Sequence, residues 1–177
     1  ALEGDKDCGG LIAYNYISGE PVTGLAEGRP LFVRSANDKF NLANFMRANL
    51  YASVGVLKIG NDILFNEEKI RVDRITAHGG LFKTKGVGQR ILAAALNSPI
   101  SVMETAGEGG AWGIALLAGY LINKAVNQSL ADYLDEMVFI GNIGTEITPT
   151  AEEVEGFNTY IENYKVGLPI EQAAVKF

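Results

Sequence analysis

The sequence predicts an α/β fold, on two observations. Residues 71–124 alternate strand, glycine loop and helix twice over, and the chain is long and apolar enough to close a core around that unit. Its 177 residues fit one domain rather than two. With 47% hydrophobic and 20% charged residues it can bury enough apolar surface to offset the entropy of ordering, which excludes wholesale disorder. The 15 Lys and Arg stand against 21 Asp and Glu, a net charge of −6, so no nucleic-acid or membrane partner is expected and only a local phosphate site stays open. Cys8 has no second cysteine and no His/Cys set at zinc spacing, which fits a reducing, cytoplasmic compartment. No apolar run reaches the roughly 18 residues of a membrane-spanning helix. The longest, residues 111–122, is interrupted by Gly113 and Gly119.

The elements follow in order. The opening Ala1-Leu2-Glu3-Gly4-Asp5-Lys6-Asp7 has neither an initiator Met nor the profile of a signal peptide, and reads as the interior of a longer frame. Residues 11–17 are rich in β-branched and aromatic side chains and run into Ser18-Gly19-Glu20-Pro21, a strand entering a turn. Residues 24–30 form a second loop, and Pro30-Leu31-Phe32-Val33-Arg34 a short edge strand, since proline lacks the ladder donor. From Asn41 to about Asn66, Leu42, Phe45, Met46, Leu50, Val54, Leu57 and Leu64 recur mostly three and four apart, a helix burying that stripe, with Asp38 or Asn41 as its cap. Residues 71–78 read as a strand, 79–84 as a turn and 85–96 as a helix with Val87, Ile91, Leu92 and Ala95 on one side. Ser98-Pro99 breaks that helix, residues 100–103 make a strand, and 104–110 form a glycine-bearing loop into a helix over 111–124. The alternation argues for neighbouring parallel strands. Beyond it, residues 130–137 read as helical, 139–148 as loop or edge, and Pro149-Thr150-Ala151-Glu152-Glu153 as the start of a terminal helix through about Tyr164.

In an open α/β sheet a ligand sits outside the carboxyl ends of the strands, where loops turn into helices. Gly79-Gly80 and residues 107–110 occupy that position. Glycine lets the main chain lie against a flat base or a phosphate, and a helix N-terminus adds about half a positive charge. Lys83 and Lys85 would add mobile cations. The same glycines also serve plain tight turns, so the pair alone decides nothing. Neither G-x-x-x-x-G-K-[ST] nor a complete G-x-G-x-x-G dinucleotide fingerprint with its acidic partner is present.

The longer string is more specific: His78-Gly79-Gly80-Leu81-Phe82-Lys83-Thr84-Lys85-Gly86-Val87-Gly88-Gln89-Arg90-Ile91-Leu92-Ala93, then Pro99-Ile100-Ser101-Val102 and Glu108-Gly109-Gly110-Ala111-Trp112-Gly113-Ile114-Ala115-Leu116-Leu117-Ala118. It resembles the C-terminal ATP-binding domain of the FGGY carbohydrate kinases. There a strand ends in Gly-Gly, a polar residue follows four positions after the second Gly, the next helix carries Gln and Ala, and a Gly-Ala-Ala-like helix comes after. Residues 41–57 likewise resemble the long helix before the Gly-Gly strand. The likeness runs from about Asp7 to the end and is strongest over residues 75–118.

The resemblance implies an actin-like, ribonuclease H-like ATPase fold. Residues 1–177 would be the incomplete C-terminal ATP-binding domain of a two-domain kinase, without the N-terminal sugar-binding domain. Gly79 and Gly80 would lie against adenine or adenosine, Thr84 at the polar position and Lys83 beside it would reach the nucleotide, and residues 106–110 would flank the cleft. ATP, Mg²⁺ and a sugar are the implied ligands, with a homodimer possible. The family's catalytic Asp and its Gly-Thr phosphate loop would precede this chain, leaving it inactive alone, and Gly144-Thr145 lies too far downstream to substitute. Many members carry Ser with a downstream Trp where this chain has Lys83-Thr84-Lys85-Gly86-Val87-Gly88, and the chain reads as the pentulose side, xylulokinase-like or ribulokinase-like. The alternative is a non-catalytic actin-like nucleotide-binding module. Other conspicuous residues take plainer readings: His78 as a hydrogen-bonded structural histidine, Glu108 as a helix-start charge, Asp7-Cys8-Gly9-Gly10 as a turn and Trp112 as a packing residue.

Overall fold

A computed structural model describes residues 1–72, 75–140 and 144–176. Strand β1 (Ile12–Tyr14) pairs antiparallel with β2 (Leu31–Val33), Ala13 opposite Phe32. Helix α1 (Leu42–Asp62) follows, then continues in a wider π turn over Ile63–Glu67. Its start is set by Asn41, whose side chain accepts the backbone N–H of Asn44 at 2.8 Å. The second sheet holds β3 (Ile75–Ala77), β4 (Ile100–Val102) and β5 (Thr145–Ile147) in that order. β3 and β4 run parallel, as the alternation predicts, with α2 (Val87–Leu96) as the crossover, and β5 returns antiparallel to β4. Helix α3 (Gly109–Asn123) leads to a short α4 (Leu130–Tyr133), extended by a π turn over Leu134–Val138, and α5 (Ala151–Ala174) closes the fold.

The predicted elements are present, with shorter strands. Of residues 11–17 only Ile12–Tyr14 pair, and Ile17 is 88% exposed. The strand predicted over 71–78 is Ile75–Ala77, with Asp73 and Arg74 outside the described residues, as are 141–143 of the segment predicted to be loop or edge. The terminal helix passes Tyr164 and continues through Pro169 to Ala174. Proline costs that helix one backbone bond, but the turn beyond it is anchored by Glu171, whose Oε1 accepts the Arg29 N–H at 2.6 Å.

The buried face of α1 is only in part the predicted one. Val54 of the predicted stripe is buried and Leu50 packs against the core, but Leu42, Met46, Leu57 and Leu64 are exposed, and Asn44, Arg47, Ala48, Tyr51, Ala52 and Gly55 are buried instead. Two contacts invert the pattern. The N-terminal segment folds over the start of α1, where Arg47 donates to the carbonyls of Ala1 (3.0 Å) and Leu2 (2.8 Å) and Asn44 accepts the Asp5 N–H (2.7 Å). Further along, small residues let α5 approach, with Ile161 Cδ1 3.4 Å from where a Cβ on Gly55 would stand. The core between β1, α1 and α5 is built of Tyr14, Tyr51, Phe157, Tyr160 and Tyr164, each buried. Their hydroxyls are satisfied inside: Tyr14 donates to the Tyr164 carbonyl (2.8 Å), Tyr164 to the Tyr16 hydroxyl (2.6 Å) and Tyr51 to the Lys6 carbonyl (2.9 Å). Burial pushes the Tyr51 hydroxyl up to about 12. The core continues through Ile91, Leu92, Ala93, Ala94 and Ala95 of α2 to Ile100 of β4.

Candidate functional site

β3 ends at Ala77 and delivers the glycine pair to the carboxyl edge of the parallel strands. Gly79 sits at φ 116, ψ 177, a region that residues with a Cβ rarely adopt. Its N–H donates to the Ala106 carbonyl at 2.8 Å, which ties the turn after β3 to the turn after β4. The chain then makes a 3₁₀ turn, Gly80–Phe82, with Lys83 N–H on the Gly80 carbonyl at 3.2 Å. A Cβ placed on Gly79 or on Gly80 would meet no heavy atom within 4 Å.

That bare stretch opens on a cavity of about 680 Å³ between β3 and the second half of α1. Val54, Leu57, Leu64 and Phe65 face Ile75 and Leu81 across it, with Ser53, Asn61, Thr76 and His78 as its polar side chains. Its size and apolar walls suit a flat heteroaromatic ring. Sequence reasoning assigned Leu57 and Leu64 to the core and missed Asn61. The usable signal was the spacing 57, 61, 64, one helix face carrying two leucines and an amide.

Lys83 and Thr84 are not in that cavity. They lie past the 3₁₀ turn in an adjoining one of about 450 Å³, with Gln89, Glu104, Glu108 and Thr145, and Phe82 lines both. The structure therefore brings Gly79 and Gly80 together and sets Lys83 and Thr84 apart from them. Lys83 is also not the mobile cation expected: its Nζ lies 2.6 Å from Glu108 Oε1, and this bond holds the Glu108 carboxyl below its ordinary range. Both partners are exposed, so the pair orders two loops more than it stabilises them. Residues 106–110 do flank the glycine turn, through the Gly79–Ala106 bond and the Lys83–Glu108 pair. Gln89 is buried and structural, its amide donating to the carbonyls of Ile100 and Thr145, both at 2.7 Å. His78 is exposed beside Gly109. Trp112 packs on Phe139 with ring centroids 5.9 Å apart. Cys8 is buried, and desolvation pushes its thiol up, away from nucleophilic use.

Among the described residues no three His, Cys, Asp or Glu side chains converge into a metal cage. No helix of the described residues is long and apolar enough to cross a membrane.

Residues 1–122 match the family model for the C-terminal domain of the FGGY family of carbohydrate kinases. Three solved structures share the backbone over nearly the whole chain. A glycerol kinase from Plasmodium falciparum, solved with ADP, aligns at a TM-score of 0.65 with 16% identity, covering 93% of this chain and 31% of that one. A gluconate kinase from Lactobacillus acidophilus gives 0.64 with 21% identity, over 97% and 32% of the two chains. A xylulose kinase from Rhodospirillum rubrum gives 0.61 with 19% identity, over 97% and 33%. The chain thus spans about a third of the length of the structures it resembles. No curated protein matches the sequence significantly.

Proposed function

Because the chain belongs to the FGGY family of carbohydrate kinases, with an actin-like ATPase fold, we propose that it supplies the ATP-binding part of a longer enzyme that transfers the ATP γ-phosphoryl group to a sugar hydroxyl. The observation that carries the reading is the open main chain at Gly79 and Gly80, set against the apolar cavity beside α1. The base rests on the glycine turn, where a side chain on either glycine would stand in its way. Thr84 and Lys83, across Phe82, are assigned the part of the nucleotide beyond the base.

Phosphoryl transfer of this kind rests on positioning and charge stabilisation, with a carboxylate to take the hydroxyl proton. In this reading that carboxylate and the sugar contacts come from outside the 177 residues. Two features support an enzyme completed by further chain. Among the described residues β3 has no strand on its outer edge, and α3, although strongly apolar, buries none of its residues. Mg²⁺ fits no cage in this chain's described residues and would come with the phosphates, as it commonly does. A pentulose is the proposed acceptor, on the sequence resemblance. Solved neighbours named for glycerol, xylulose and gluconate share this backbone, so the choice of acceptor rests on side chains and not on the fold.

Calorimetric titration of the chain with ATP and with NAD tests the reading. Saturable ATP binding without NAD binding is expected. Gly80→Val, which puts a branched side chain into the slot, weakens ATP at least about tenfold with the melting temperature unchanged. Binding of NAD but not ATP, or a Gly80→Val variant that binds ATP like the parent, sinks it. ATP binding with no transfer to any pentulose by the full-length protein would favour a non-catalytic module instead.

A further inference from the structure

The turn after β3 and the turn after β4 are tied twice. Gly79 donates its N–H to the Ala106 carbonyl at 2.8 Å, and two residues beyond Ala106 the Glu108 carboxylate holds the Lys83 ammonium at 2.6 Å. The lysine reaches it by lying across the loop: its Cγ and Cε stand 3.0 and 3.4 Å from where a Cβ on Gly107 would be. Both charged groups are exposed, and both line the cavity of about 450 Å³ that they share with Phe82 and Thr84, so the pair spans that cavity at its rim. Lys83 is also close to the glycine turn. Its N–H meets the Gly80 carbonyl at 3.2 Å, which puts it one 3₁₀ turn, about 6 Å of rise, from Gly80 and within the swing of its four-carbon stem. The Lys83 ammonium is thus already engaged by a carboxylate of the same chain.

Resting on the reading that a nucleotide occupies the glycine turn, we infer that Glu108 is a resting partner which the nucleotide displaces from Lys83, so that the pair is an autoinhibitory strap and Glu108 a positioning residue acting through the lysine. The exchange trades one electrostatic contact for another. Lys83 swings from the Glu108 oxygen to an acceptor atom of the nucleotide, and no covalent bond changes. The released carboxylate has a second place to go. Glu108 immediately precedes α3 and makes no side-chain bond to it while strapped, and a carboxylate at a helix start is favoured by the positive end of the dipole. A ligand shifts such an equilibrium only by the difference between its contacts in the two states. An exposed ion pair opposes it weakly, so the strap lowers nucleotide affinity by about threefold.

The experiment is a calorimetric titration of the 177-residue chain with ATP, run on the parent, Glu108→Gln, Lys83→Met and the double variant, with thermal melts to confirm folding. Glu108→Gln is expected to bind ATP about threefold more tightly than the parent, a gain that the loss of a merely structural contact would not produce. Lys83→Met is expected to bind it more weakly. Adding Glu108→Gln to Lys83→Met changes nothing further, because the carboxylate then has no ammonium to withhold. Unchanged or weaker binding by Glu108→Gln, with ATP still weakened by Gly80→Val, overturns the strap and leaves the nucleotide site standing. A gain of the same size in the Lys83→Met background overturns it too, since plain repulsion between Glu108 and the phosphates would then account for it. Failure of the parent and every variant to bind ATP removes the site and the strap together.

Discussion

A methyl group added at Gly79 forces a residue with a Cβ to φ 116, ψ 177, while the same methyl at Gly80 carries no such backbone demand and meets nothing within 4 Å. Urea denaturation should separate the two. Gly79→Ala is expected to lose about 1–3 kcal/mol, the usual penalty of a glycine-only conformation. Gly80→Ala is expected to stay within about 0.5 kcal/mol of the parent, as exposed substitutions do. A stable Gly79→Ala would mean that the turn relaxes, and with it the bond from Gly79 to Ala106. At this scale the sequence was partly legible. Two adjacent glycines after a strand announced a turn, but their different duties depend on φ, and φ depends on where Ala106 sits, 27 residues on. Lys83 and Thr84 were grouped with the glycines because they are near in sequence. A 3₁₀ turn between them points the two pairs into different cavities.

Among elements, α2 and α5 are each held by one polar residue whose removal is measurable. Gln89 on α2 satisfies the buried carbonyl of Ile100 and that of Thr145, so it joins the crossover helix to β4 and β5 at once. Gln89→Leu keeps the volume but leaves the buried Ile100 carbonyl without this donor, while water can replace it at exposed Thr145, and a loss of about 1–3 kcal/mol in urea unfolding is expected. At the start of α5, the Thr150 N–H and hydroxyl donate to Glu153 Oε2 at 2.9 and 3.1 Å, and Glu153 Oε1 lies 3.2 Å from Arg90 on α2. Burial pushes the Glu153 carboxyl up, but these donors and the Arg90 charge outweigh it and hold the group below its ordinary value of 4.5. A carboxyl lowered in the fold stabilises it at pH values above that ordinary value. The contribution begins to fade as pH falls through 4.5 and is gone only below the lowered folded value. The urea midpoint of Glu153→Gln should therefore fall less steeply than that of the parent on acidification, and an equally steep fall would place the sensitivity in other carboxyls. The start of α5 was readable from Pro149 to Glu153, because a capping box is a local device. Its end was not, because the turn past Pro169 is held by Glu171 reaching Arg29, a contact 142 residues apart in the chain.

For the molecule as a whole, the parallel pairing of β3 and β4 was legible because a strand, helix and strand of that length admit few other arrangements. The buried side of α1 was not, since hydropathy spacing cannot show that Arg47 and Asn44 are covered by the N-terminal segment. The same limit applies to α3. Its composition reads as core, yet Ile114, Leu121 and Ile122 are 69%, 72% and 83% exposed. Among the described residues its inner side is engaged by Trp112 on Phe139 and Tyr120 on Tyr133, with ring centroids 5.9 and 5.5 Å apart. An apolar helix face of this length left open is a contact surface. Since the chain spans about a third of the kinases that share its backbone, the proposed occupant is the remainder of the longer enzyme. The double substitution Leu121→Lys with Ile122→Lys separates this from a face that simply meets water. In the 177-residue chain it is expected to leave the urea midpoint unchanged within about 0.5 kcal/mol and to reduce self-association in sedimentation velocity. In the full-length protein the same pair of lysines would be driven into a packed interface, and a loss of several kcal/mol is expected there, about the cost of two unpaired buried charges after partial escape to solvent. Equal tolerance in both settings would show that nothing covers α3.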